Sequence, residues 1–262
     1  MPFTYAGLEQ QMLLWMLALV RPGAAFLAAP VFGAPQVPVQ LRLVIALAVG
    51  LPGFAHAGIA MPAEGIVSVA GFLMIAGEVV AGLAIGFALQ IGFAAAMVAG
   101  EAISNAMGLG FAAMTNPMTG HASPAVGQFL SMLATFIFLA ADGHLAFAQI
   151  IFDSYGAIVP GRSWLSVEAM SGIVEFGGLM FKAGVSIALP VAFALILVQI
   201  MMGMVARSAP ALNLIAVGFP AVVLAGVILL AMAVPALADA LAVVLTDSLD
   251  AARQVAGSAS RG

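Results

Sequence analysis

Glu78 and Glu101 are the first residues in this chain whose placement suggests chemistry, two carboxylates inside one apolar stretch, residues 65–108. An acid in membrane-like surroundings is costly and by default marks an ion or proton path. Their spacing limits what they can do jointly. On one unbroken helix they would lie about 140° apart around the axis and ~35 Å apart along it, so they cannot form a paired-carboxylate site there. Each then has two readings: a relay member, or a carboxylate at a wet or inter-subunit surface paired with a base or with backbone. Lys182, the single lysine, lies in "GGLMFKAGVSIALP" with Glu175 two turns away on the same helical face. It reads either as a transport cation or as a structural ion pair or snorkelling amine. Asp142-Gly143-His144 sets a carboxylate two residues from an imidazole, but no nearby His or acid completes a metal or acid–base site. A turn accounts for it, with Gly143 supplying backbone freedom and Asp142 a cap. Arg207 and Pro210 in "ARSAPALN" mark another tight turn. No nucleophile–base pair, P-loop, dinucleotide fingerprint or HExxH is present. We therefore expect no enzymatic activity, no cofactor and no metal.

The elements that must position these residues follow from composition. The chain has 262 residues, 64% hydrophobic and only 7% charged, against about 25% charged residues in a soluble domain. A soluble core of this size could not hide that much apolar surface, so the solvent must be a bilayer or an apolar assembly. No basic patch exists, which argues against nucleic acid as a partner. Cysteine is absent, which removes disulfides and thiol chemistry. The start, "MPFTYAGLEQQMLLWML", lacks a basic n-region and carries Glu9. It is therefore expected to stay in the mature protein. Apolar stretches fall near 12–32, 39–55, 65–108, 125–159, 169–206 and 211–245, with no strand-like alternation. The predicted class is an all-α integral membrane protein of long bent helices and helical hairpins.

Lengths and charges then conflict with a simple six-span bundle. A spanning helix needs about 20 residues, yet 65–108 holds no proline and would run ~66 Å as one helix. Arg21 and Arg42 flank the first connector and Arg253 and Arg261 mark the tail. Six simple spans would put those two regions on opposite sides, against the positive-inside rule. "QVAGSASRG" reads as a loose tail. The separators read as helix caps at Ser123-Pro124 and at Ser166 with Glu168.

Two apolar features remain. Ala84, Ala88, Gly92, Ala96, Gly100, Ser104 and Gly108 recur every four residues, with Gly82 and Gly86 beside them. Such a small-residue ridge lets helix backbones approach closely, within the chain or between subunits. After it comes "MGLGFAAMTNPMTGHASP", residues 107–124, a connector without Asp, Glu, Lys or Arg. Met107, Phe111, Met114 and Met118 would share a helical face, but Gly108, Gly110 and Asn116-Pro117 argue against a regular helix throughout. It is either core packing of a frayed helix end or a deformable apolar constriction of the kind that closes a pore by dewetting.

"AGEAISNAMGLGFAAMTNP" (99–117), "ADGHLAFAQIIFDSY" (141–155) and "RSAPALNLIAVGFP" (207–220), in that order, resemble the FliR family, the R subunit of the flagellar type III export gate. "RPGAAFLAAPVFGAPQVPVQLRLVIALAV" (21–49) resembles it too, with Arg21, Pro30, Pro38 and Arg42 where that family tends to place them. The resemblance covers residues from about 10 to 245 and includes the related T subunit of virulence injectisomes; the GLGFAAMTNP and DGHL blocks favour the flagellar branch. It implies a hetero-oligomer with P-type, Q-type and B-type subunits in the bacterial inner membrane at the basal body, a portal for unfolded flagellar proteins. Much of that portal would sit above the usual membrane plane, which would account for overlong helices and for the charge conflict. The resemblance also implies a P-like part over about 1–160 and a Q-like hairpin over about 161–250, with 251–262 as a flexible tail. Residues 107–123 map onto the family's plug, with Met107, Phe111, Met114 and Met118 as occluders. The competing reading is a small secondary transporter with Glu78, Glu101 and Lys182 as coupling charges.

Overall fold

The computed structural model describes residues 5–57, 65–66, 68–110, 125–161, 167–208 and 214–257. Among them there is no strand. Seven helices follow one another: α1 (Tyr5–Ala28), α2 (Val39–His56), α3 (Val69–Ala106), α4 (Ala125–Ala140), α5 (Gly143–Ala157), α6 (Val167–Ser208) and α7 (Leu214–Gly257). Five are long and apolar enough to cross a membrane, or six elements if the bent pair α4–α5 counts as one. The chain is an all-α integral membrane protein, as its composition predicts.

Sequence chemistry explains where the helices start and stop. Ser68 is the N-cap of α3: its Oγ accepts the Gly71 N–H at 3.1 Å, satisfying one orphan donor of the first turn. At the other end Gly108 takes φ +78°. The Gly108 N–H then donates to Asn105 O at 3.0 Å and the Leu109 N–H to Ser104 O at 3.1 Å. These two bonds with a left-handed glycine form a Schellman ending. The 38, 42 and 44 residues of α3, α6 and α7 give lengths of about 57, 63 and 66 Å. Each is about twice the ~30 Å hydrocarbon core of a bilayer.

Three boundaries differ from the sequence expectation. Helix α1 runs through Arg21-Pro22 to Ala28, so Arg21 lies inside a helix rather than beside the first connector. Its side chain is fully buried, and a buried, paired base does not count toward topology by surface charge. Helix α7 continues to Gly257, so residues 251–257 are helix instead of loose tail. Ala251, Ala252 and Ala256 are buried there, and that packing holds the helix past the last long apolar run. Asp142, not Gly143, carries the left-handed backbone at the α4–α5 break, with φ 54°; Asp is among the few residues with a side chain that tolerates this region. Gly143 is buried as the first residue of α5, and Asp142 makes no side-chain cap bond. The caps expected at Ser123-Pro124 and at Ser166 lie outside the described residues.

Contacts divide the chain into two compact units. The first draws on Met1–Ile91, Leu139–Gly177 and Thr246–Gly262, the second on Gly92–Phe138 and Gly178–Leu245. Neither unit is a continuous stretch. In the first unit, Leu17, Ala18, Phe54, Met74 and Tyr155 form a buried cluster. Phe26, Phe32 and Phe147 pack ring to ring beside α1, with centroids 4.7–6.2 Å apart. In the second, Phe93 meets Phe138 edge-on at 5.6 Å. A side chain at Gly100 would collide with the backbone of Gly127, so α3 and α4 touch backbone to backbone there.

Candidate functional site

The first unit is built around one cation. Arg21 is 0% exposed and Glu78 2%. The Arg21 Nε–H donates to Glu78 Oε2 at 2.9 Å and Nη2–H to Oε1 at 2.7 Å, a two-pronged pair between α1 and α3. Nη2 also donates to the Ile158 carbonyl at 2.7 Å and Nη1 to Ser154 Oγ at 3.0 Å. The Ser154 hydroxyl in turn donates a hydrogen bond to Ile151 O at 2.7 Å. Four of the five guanidinium N–H groups are thus used, which the planar fork of arginine permits and lysine does not. Tyr155 completes the setting: the guanidinium carbon lies 4.2 Å from its ring centroid.

Pro22 is part of the same construction. A proline inside a helix withdraws the N–H that would have reached the carbonyl four residues back, here Ala18. The Tyr155 hydroxyl donates to that Ala18 O at 3.2 Å. A Cβ on Gly50 would collide with the same carbonyl, so α2 needs glycine to pass it. Likewise Gly82 and Gly86 of α3 lie against Arg21 O, Ala24, Ala25 and Ala28 of α1. The paired glycines bring the two helices together where Arg21 meets Glu78.

The arrangement ties α1, α3 and the end of α5 with charge-assisted bonds of defined direction. Both carboxylate oxygens of Glu78 accept from Arg21, and the side chain is 2% exposed. Glu101, Lys182 and Arg207 are exposed, and all three belong to the second unit. Sequence reasoning selected Glu78 but missed its partner Arg21 and the residues that hold Arg21, Ser154 and Tyr155. The available signal was Arg21-Pro22 inside an apolar run: a buried acid demands a base, and this is the base lying mid-stretch in 12–32.

The second unit contains the approach to the predicted plug. Met107 is 2% exposed. It packs on Gly226 of α7, where a Cβ would lie 2.7 Å from its Cγ and Cε. Gly108 lies under the Phe219 ring and Gly110 beside Asn105 Oδ1. The Ala106 carbonyl receives the side-chain amide of Gln199, from α6, at 2.5 Å. Phe111, Met114, Asn116, Pro117 and Met118 lie outside the described residues. Of the small ridge, Ala84, Ala88, Gly92, Ala96, Gly100 and Ser104 are buried, while Gly108 is half-buried. At Gly100 its neighbour is α4 of the same chain. At the α4–α5 break, Asp142 is exposed and His144 half-buried, with its Nδ1 unpaired among the described residues.

Fold and site together define a multi-pass helical membrane protein with a buried charge clasp in one unit and a second unit with no buried charged side chain among the described residues. The family model described as bacterial export proteins, family 1, matches residues 12–247. Three relatives carry the name flagellar biosynthetic protein FliR. That of Escherichia coli (strain K12) is 30% identical over 86% of this chain and 85% of its own length. That of Caulobacter vibrioides is 32% identical over 85% and 88%, and that of Pectobacterium carotovorum 31% identical over 65% of both. The chain belongs to the FliR family of flagellar export proteins.

Proposed function

We propose that this chain is the R-type subunit of a flagellar type III export gate, in the bacterial inner membrane at the basal body. It has no enzymatic role. With P-type, Q-type and B-type subunits it forms the channel for unfolded flagellar proteins, while the proton motive force and an ATPase elsewhere supply the energy. Residues up to about 160 serve as a P-like part and residues 161–250 as a Q-like hairpin. The observation that carries the reading is the family match along residues 12–247.

Two features support assembly with other membrane proteins. Helices α3, α6 and α7 are too long for a bilayer alone to cover. On α6, Phe181, Val185, Leu189, Phe193, Ile196, Ile200 and Met204 are all exposed, at steps of three and four that make one uncovered apolar face. In this reading the segment opening at Met107 and running to about residue 123 closes the channel at rest and yields during passage. Its one titratable side chain is His121, and it holds no Asp, Glu, Lys or Arg, which suits a seal that works by excluding water. Deleting residues 110–118 should raise small-ion leak through the assembled gate in the absence of substrate. A deletion gate that assembles and stays as tight as the unaltered one would remove the plug assignment.

A further inference from the structure

The first unit holds a cavity of about 380 Å³ between α5 and the end of α7, which shares no residue with the clasp. That volume is within the range of small-ligand sites. Its α5 wall runs from Ala146 to Ala157, about 16 Å of helix. Ile150 and Ala256 are buried and give it an apolar floor, while Gln149, Asp153 and Arg253 are exposed on its walls. Gln149 and Asp153 are one turn apart and share a face of α5. Across from them, Arg253 Nη1 donates to Asp250 at 2.6 Å; Asp153 takes part in no ion pair among the described residues. Both side chains of the Arg253–Asp250 pair are more than half exposed. Such pairs hold their partners weakly, so the guanidinium is available to a bound anion. One helix thus offers an acid to the cavity and the other a base.

Opposite charges on two walls fit a ligand that carries both. The geometry points to a zwitterionic phospholipid headgroup, a phosphate joined to a primary ammonium, as the occupant. Arg253 takes the phosphate through its planar fork. Asp153 and the Gln149 carbonyl accept from the ammonium, and the glycerol end lies on Ile150 and Ala256. A primary ammonium brings three N–H donors to those acceptors; a quaternary one brings none. Two observations place the cavity at headgroup level. Helix α7 carries a single charged side chain, Asp239, over residues 214–245, and then Asp247, Asp250 and Arg253 over 246–257. The switch from apolar to charged composition marks where a helix leaves hydrocarbon. Helix α1 runs antiparallel to α5, since Phe26 meets Phe147 and Ala18 O meets the Tyr155 hydroxyl. Trp15 therefore falls level with the end of α5, and it is 49% exposed, as the aromatic belt of a membrane interface requires.

The test reconstitutes the full chain in vesicles of equal parts phosphatidylethanolamine, phosphatidylcholine and phosphatidylglycerol. The chain is then extracted in mild detergent, and the lipids it retains are counted by native mass spectrometry. Phosphatidylethanolamine should be retained about tenfold over phosphatidylcholine, the factor into which one charge-assisted hydrogen bond converts. Asp153→Asn should erase that preference. Arg253→Gln should lower retention of all three lipids, which share the phosphate, and keep the ethanolamine-to-choline ratio. Asp239→Asn, at an exposed acid of the second unit, should change nothing. All three positions are exposed, so the thermal midpoint in detergent should stay unchanged, which separates lost binding from lost folding. Equal retention of the ethanolamine and choline lipids, or a preference that survives Asp153→Asn, would overturn the site. Displacement of the lipid by equimolar glycerophosphoethanolamine would overturn the lipid assignment, because the ligand would then be a solute with the same charges. So would loss of the Asp153-dependent lipid when the chain is isolated with its copurifying subunits, since a partner segment would then fill the cavity.

Discussion

The two units share three long helices yet are held together differently. In the first, α1, α3 and the end of α5 meet at a buried arginine whose bonds run to a carboxylate, a hydroxyl and a carbonyl. In the second, the tightest approaches are Gly100 on Gly127, Gly184 on Val98 and Gly226 on Met107. Of the five buried polar side chains among the described residues, Arg21, Glu78, Ser154 and Ser248 are in the first unit and Ser104 alone is in the second. Directed bonds in a low-dielectric interior admit one arrangement and penalise any that leaves a charge unpaired. Contacts between small residues and methionines specify distance but little direction, so they tolerate sliding. The comparison assigns fixed geometry to the first unit and adjustable geometry to the second.

The largest effect should come from breaking the clasp on one side. Arg21→Ala strands a buried carboxylate, which typically costs about 3–5 kcal/mol. We expect Arg21→Ala to lower the thermal midpoint of the purified assembly sharply, and Glu78→Ala to do the same by stranding the cation. Replacing both, as Arg21→Met with Glu78→Leu, should restore much of the loss, since apolar pairs of similar volume often match a buried ion pair. A double variant as unstable as either single one would mean that the clasp specifies the unit rather than merely filling it. An Arg21→Ala protein as stable as the unaltered one would erase the contrast between the units.

A smaller effect tests the second unit on its own terms. Gly100→Val drives two methyl groups toward the Gly127 backbone, and overpacking of this kind costs roughly 1–3 kcal/mol. The midpoint should fall by less than in Arg21→Ala, and adding Gly127→Ala should deepen the fall. A neutral Gly100→Val would show that α3 and α4 part at little cost, sharpening the assignment of adjustable geometry to this unit.

How much of this could be read in the sequence depends on the kind of interaction. Helix content and the run of long apolar elements were legible because both are local properties of composition and period. Consecutive members of the row from Ala84 to Ser104 were legible as stacked neighbours, since a step of four residues keeps each beside the next while the row winds about 40° per step around the helix. Glu78 stood out as an anomaly, but its partner Arg21 is 57 positions away, and Ser154, which also accepts from Arg21, is 133 positions from that arginine; a single sequence gives no measure of pairings at such distances. Arg21 was also mistaken for a connector charge because Pro22 looks like a helix end. A proline does break a helix in water, but here tertiary packing carries α1 through it. Asp142 was found as a turn and misassigned by one residue, since glycine is the commoner choice for a left-handed backbone.

The smallest effect bears on how the first unit tolerates Pro22. Tyr155→Phe keeps the ring over Arg21 and its edge contact with Phe54, 6.2 Å between centroids, and removes only the hydroxyl. If that hydroxyl serves the carbonyl that Pro22 deprives of its helical donor, its loss leaves Ala18 O unpaired in a residue with no exposure. The cost should be about 1 kcal/mol. The cause can be separated from general softening by a double-mutant cycle. Pro22→Ala restores an N–H in register with Ala18 O, and a carbonyl oxygen accepts two bonds. In that background Tyr155→Phe should cost little, so the two substitutions should be non-additive by most of the single Tyr155→Phe loss. Additive losses in the thermal midpoint would mean that the hydroxyl does not substitute for the missing helical bond. The proline would then be accommodated by α2 passing at Gly50, and the first unit would owe less to directed bonds than the comparison claims.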